Sequence, residues 1–209
     1  MFNRNDPMDP AVIENRTTFL TAHSINIMKT TRAAVSFDRS DFCRYKAVTS
    51  ENKGDGMIND IGEVLDAIIT TDSNHALFLA VADCVGMTVF DETHHVLALA
   101  HLGRHNLEQD GGKKIIAHLT ERYGSDPATL KIWLTPAPGK DVYPIWALDN
   151  KGMKEVTYEQ LLGRGILKEN ITDNTVETNR DDNYFSYSEF LKGNRPEDGD
   201  HAMVAMMTD

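Results

Sequence analysis

An α+β fold is what this sequence predicts, and three observations carry the prediction. Short runs rich in branched apolar residues recur through the chain at strand length. One segment, "KKIIAHLTERYG", carries its apolar residues at helical spacing instead. Strand-like and helix-like segments alternate only in part, which fits α+β better than a doubly wound sheet. The 209 residues suit one domain with a real core.

The elements follow in order. Residues 1–16 are polar with two Asp-Pro steps and are expected to form a flexible lead, so that the domain is read over 17–209. "TTFLTAHSINIM" (17–28) and "RAAVSF" (32–37) are strand candidates. A short strand is expected near Phe42–Val48, closed by the turn-rich residues 51–56. "EVLDAIIT" (63–70) and "HALFLAVADC" (75–84) read as strands. "VGMTVF" and "HVLALAH" flank the polar set "DETH" and predict an antiparallel hairpin. Ile115, Ile116, Leu119 and Tyr123 form a helical stripe that Gly124 ends. "LKIWLT" (130–135) is a strand, and "TYEQLLGRG" (157–165) a helix whose start has capping-box spacing, Thr157 to Gln160. "NYFSYSEF" and "AMVAMM" are late strands.

Composition narrows the function. A net charge of -11 opposes nucleic-acid phosphates and anionic membranes, and no Lys/Arg cluster reverses it locally. No apolar run approaches the roughly 18 residues of a membrane span. "MFNRNDPMDP" lacks the basic and apolar regions of a secretory signal, so a cytoplasmic location is expected. Cys43 and Cys84 make neither a disulfide scaffold nor a Cys-x-x-Cys pair.

The hairpin carries the chemistry. A turn centred on Glu92 and Thr93 sets Cys84 opposite His101, within one residue, and opposed residues lie ~4.5–5.5 Å apart. A one-residue slip would put them on opposite faces. Thiolate and imidazole are both zinc ligands, and a third would leave an open catalytic position. The same two groups also suit a cysteine nucleophile and its base, as in a cysteine hydrolase. Asp83, Gly103, Arg104 and His105 flank them at strand ends.

These residues are similar to those of the YfiH-like, or laccase-domain, family, also called multicopper polyphenol oxidoreductase. The family has Ala-Asp-Ala-Leu-Val-Thr, then Thr-Ala-Asp-Cys, then Ala-His-Ala-Gly-Trp-Arg-Gly. This chain has "LDAIIT" (65–70), "VADC" (81–84) and "AHLGRHN" (100–106), with the family's cysteine-to-histidine distance. "TPAPGKDVY" (135–143), "LLGRGILKENI" (161–171) and "YFSYS" (184–188) resemble later family motifs in the family's order. Arg104 and His105-Asn106 depart from the family's Trp-Arg-Gly, Ser188 stands where the family has arginine, and "GDH" (199–201) replaces a closing Gly-Arg.

The resemblance implies a mixed sandwich, with helices layered around β-sheets. It also implies a zinc-dependent purine nucleoside phosphorylase or adenosine deaminase acting on small nucleosides, with phosphate as co-substrate. The alternative is a diverged, non-catalytic metal- or ligand-binding member. His23, in "TAHSINI", is the candidate third zinc ligand beside Cys84 and His101, with His75 and His105 as alternatives. Asp83 and His105 are candidate proton carriers, and Asp83 a candidate orienting group. Arg104, Gly139 and Lys140 are candidate anion binders. Copper fits less well than zinc, because none of the eight histidines forms a His-x-His set. His94, His95 and His118 read as surface residues, Cys43 as a half-buried thiol, and the methionines of "AMVAMM" as a half-buried strand. Homo-oligomerisation is left open.

Overall fold

A computed structural model describes residues 8–208. Its layers follow from where the apolar faces point. Helix α1 (Pro10–Ala22) opens with Asp9, whose side chain accepts from the Ala11 amide at 2.8 Å, and with proline in the first turn. Val12, Arg16 and Leu20 recur every four residues and are buried. The expected boundary at residues 16/17 therefore falls inside a helix, and the strand expected over 17–28 is its second half plus a 3-10 turn at Ile27–Lys29. The Asp9-Pro10 start and the buried stripe decide for helix. The part of the expected lead before Met8 lies outside the described residues.

Leu20 packs with Phe78 and Met57 on the outer face of a three-stranded sheet. That sheet holds β1 (Thr30–Ala33), β4 (Ala76–Val81) and β11 (His201–Ala205), with β4 central, parallel to β1 and antiparallel to β11. The other sheet is mixed and six-stranded. Its strands are β2 (Tyr45–Ala47), β3 (Ala67–Thr70), β5 (Val85–Asp91), β6 (Val96–Leu102), β7 (Lys131–Leu134) and β10 (Ile171–Asp173), in spatial order β10-β7-β5-β6-β3-β2. A two-stranded ribbon of β8 (Pro144–Ile145) and β9 (Lys151–Gly152) leads into a later helix.

Strand alternation splits the core in two. Leu97 and Leu99 of β6 face the smaller sheet, with Leu77, Leu79 and Val81 of β4. Ala98, Ala100 and Leu102 face the helices α2 (Arg104–Glu108), α3 (Gly111–Tyr123) and α4 (Met153–Leu162). The result is a helix–sheet–sheet–helix sandwich, the mixed α+β class expected. Helix α3 ends as read from the sequence, with Gly124 left-handed at φ 74°.

Two sequence expectations fail locally. Helix α4 begins at Met153, where the Glu155 carboxylate accepts from the Gly152 amide at 3.3 Å. The Thr157/Gln160 pair lies inside the helix: Thr157 Oγ1 donates to the Met153 carbonyl, and Gln160 bridges α2 and α3 by donating to the Leu107 carbonyl and accepting from the Gly112 amide, all at 2.8 Å. The strand expected at "NYFSYSEF" is instead the short helix α5 (Tyr187–Leu191), because Ser186 caps it by accepting from the Glu189 amide. Among the described residues no helix is long and apolar enough to cross a membrane.

Candidate functional site

The hairpin forms, with its register moved. Gly86 pairs with His101 and Asp91 with Val96, leaving Glu92–His95 as a four-residue loop. Asp91 sets this length: one carboxylate oxygen accepts from the Thr93 and His94 amides, and the other pairs with His94 Nδ1 at 2.9 Å. His95 closes the loop left-handed at φ 53° and bonds Ser73. Cys84 therefore extends toward Gly103 rather than His101. A two-residue displacement keeps both side chains on one face, the face carrying Leu97 and Leu99.

Gly103 brings the two together. A Cβ there would lie 3.0 Å from His101 Nε2 and 3.1 Å from Cys84 Sγ. Thiol and imidazole thus converge on one backbone position at the end of the inter-sheet core. His101 is only 5% exposed, and its amide donates to the Asp66 carbonyl at 2.7 Å. Burial, reinforced by the nearby Arg39 charge, lowers its pKa to about 4, so the ring is neutral near pH 7. Among the described residues its buried Nδ1 has no hydrogen-bond partner.

Residues outside the expected set surround the pair. Phe37 lies edge-on to His101, centroids 6.1 Å apart. Arg39 pairs with buried Asp66 at 2.5 Å and sits 5.6 Å from the Phe42 ring centroid. His105 stacks on Phe42 at 4.8 Å, and Arg104 Nη2 lies 3.2 Å from His105 Nε2. Tyr143 is raised in pKa mainly by burial, with Cys84, Arg104 and Asp83 close enough to act on it. Phe37 and Arg39 sit in an irregular loop after β1, where no periodic signal marks them.

Residues 3–151 match the model of a protein family described as multi-copper polyphenol oxidoreductase laccase. This chain belongs to that family. The laccase-family resemblance drawn from the motifs is therefore correct. Among curated relatives of this family member, a purine nucleoside phosphorylase of Staphylococcus aureus strain COL is 26% identical over 117 residues, 51% of this chain and 43% of that protein. The purine nucleoside phosphorylase YlmD of Bacillus subtilis is 26% identical over 110 residues, 52% of this chain and 40% of that one. The matches thus span less than half of those relatives. Two solved structures share the laccase-family member's fold. The hypothetical protein YfiH of Bacillus licheniformis superposes with a TM-score of 0.82 at 20% identity, covering 94% of this chain and 81% of that one. YlmD from Geobacillus stearothermophilus gives 0.82 at 18% identity, covering 98% and 82%.

The remaining expected site residues are dispersed. His23 caps the C-terminus of α1 and packs edge-on to Phe19, which meets Phe78 on the outer face of β4. The three-stranded sheet thus separates His23 from the Cys84–His101 pair. His75 is buried at the start of β4, its Nε2 2.8 Å from Thr31 Oγ1. Asp83 is left-handed at φ 75°, and its carboxylate accepts from Thr178 Oγ1 and from the Ser188 amide, both at 2.8 Å. It ties two distant loops to the residue before Cys84. The Gly139 amide donates to Asn179, and the carboxylates of Asp141 and Glu177 crowd that glycine. Arg180 pairs with both carboxylates, at 2.8 Å and 2.7 Å. Lys140 lies 3.7 Å from Glu155.

Zinc in a catalytic site takes three protein ligands. Cys84 and His101 supply two suitable donors, but among the described residues no group of three His, Cys, Asp or Glu side chains is placed to hold a metal ion. The unpartnered His101 Nδ1 also lacks the acceptor that normally orients a metal-bound imidazole. Among the described residues, Cys84 and His101 are thus two zinc-type donors without a third.

Proposed function

We propose that this laccase-family member binds small purine nucleosides at the Cys84–His101 pair and converts them, by phosphorolysis of the glycosidic bond or by deamination of the base. The observation that carries this reading is the convergence of Sγ and Nε2 over Gly103 in a chain whose curated relatives are named purine nucleoside phosphorylases. The neutral His101 ring offers a nitrogen able to accept a proton or a hydrogen bond near pH 7. Arg104, at the start of α2 and close enough to Tyr143 to act on its pKa, is the cation we assign to phosphate. A neutral nucleoside escapes the repulsion that the net charge of -11 imposes on nucleic acid. A second reading has one specific observation behind it. Among the described residues no third metal donor joins Cys84 and His101, which supports a diverged member that binds nucleosides without turning them over.

The test is to purify the chain without a chelating tag, measure its metal content, and incubate it with adenosine or inosine, with and without phosphate. Free base or inosine, formed by the wild type and lost in His101→Ala, supports turnover. Binding of nucleoside without product supports the second reading. Neither binding nor product refutes both.

A further inference from the structure

Phe37 is unusual among the residues around the pair. It is 58% exposed, whereas the His101 ring beneath it is 5% exposed. The two rings meet edge to face, at 77°, so much of the phenyl surface remains open to solvent while one part covers His101. Further flat groups pack together close by. Arg39 and His105 both pack on Phe42, and Arg104 extends the row. Single exposed apolar residues are ordinary. This one packs on the buried imidazole, with other planar polar and aromatic side chains in the same segment and its neighbours.

We infer that Phe37 is the base-stacking residue of this site, holding the flat heterocycle of a nucleoside beside the Cys84–His101 pair. The inference rests on the nucleoside reading above and adds the residue that selects for a planar base. Aromatic side chains hold bases through their π-faces with little regard to ring substituents. Adenosine and inosine are therefore held similarly by this contact, and ribose alone gains nothing from it.

The experiment measures binding of adenosine, inosine and ribose to the full chain by calorimetry, for wild type, Phe37→Ala and Phe37→Trp. Phe37→Ala weakens both nucleosides roughly tenfold to a hundredfold, the usual effect of removing one stacked aromatic. Phe37→Trp binds within a few-fold of wild type, and its added fluorescence is quenched by nucleoside. Because Phe37 is exposed, the thermal midpoint of Phe37→Ala stays close to that of wild type, which separates lost stacking from lost fold. Wild-type binding with Phe37→Ala equally tight overturns the inference and leaves the nucleoside reading standing. No nucleoside binding by the wild type overturns both.

Discussion

Gly103→Ala tests the convergence on which the site depends. Gly103 has φ -88° and ψ 174°, a conformation open to any residue. Backbone strain therefore plays no part. Reduced freedom of the unfolded chain alone would stabilise the alanine variant by about 0.4–1 kcal/mol. Sterics oppose this. The new Cβ would lie 2.7 Å from His101 Cε1, 3.0 Å from Nε2 and 3.1 Å from Cys84 Sγ, against a comfortable carbon separation of ~3.5–4.0 Å. His101 cannot swing away cheaply, because it is buried, its backbone is fixed in β6, and Phe37 packs on its ring. Overpacking of this kind costs ~1–3 kcal/mol. We expect a net loss of about 1–2 kcal/mol, read as a lower midpoint in urea at unchanged slope. Alkylation of Cys84, followed in a Cys43→Ser background, changes rate as the thiol is pushed aside. A variant as stable as its parent or more so, with unchanged alkylation, would refute the convergence of Cys84 and His101 on this glycine.

Four further outcomes are expected. Gly111→Ala costs more than Gly103→Ala in the same urea experiment, since its Cβ would fall 1.8 Å from Asn106 Oδ1 and displace the side chain that donates to the Phe42 carbonyl at 2.6 Å. Gln160→Leu leaves the buried Gly112 amide and Leu107 carbonyl without their partner and lowers stability by roughly 2–4 kcal/mol; a loss under about 0.5 kcal/mol would rule out the clamp. Asp83→Ala frees the loops around Thr178 and Ser188, so hydrogen exchange at the Ser188 amide accelerates, while unchanged protection would contradict the bond. His201 is held at about 4 by burial against the opposing pull of Asp83, so the folded protein takes up this proton less readily than the unfolded chain. Its contribution is complete above the ordinary value of 6.5 and is lost as pH falls toward about 4, an effect of ~3 kcal/mol. His101 adds in the same direction, so His201→Phe flattens the loss of stability across this window without abolishing it; an unaltered pH profile would count against a buried neutral His201.

What the sequence could and could not disclose follows the range of each interaction. The central strands were legible because alternation is local: Leu97, Leu99 and His101 share a face whatever packs against them. The turn was misplaced because Asp91 accepts from two loop amides, a short-range bond that lengthens the loop and is invisible to periodicity. The displacement was harmless to the site because it came to two residues and preserved the face. Helix α1 was missed for a different reason. Its start signal at Asp9-Pro10 was present, but its buried side depends on the outer face of a sheet whose other strands come from residues 76–81 and 201–205. The same distance explains the third metal donor. His23 has the right chemistry and a plausible local shape, yet a sheet assembled from both ends of the chain separates it from the pair it was expected to join. Donor type can be read locally, whereas coordination is a property of topology. Cys84 and His101 could be paired from sequence because one hairpin carries both; a third ligand would have had to come from another element, and only the assembled sheets decide which element that is.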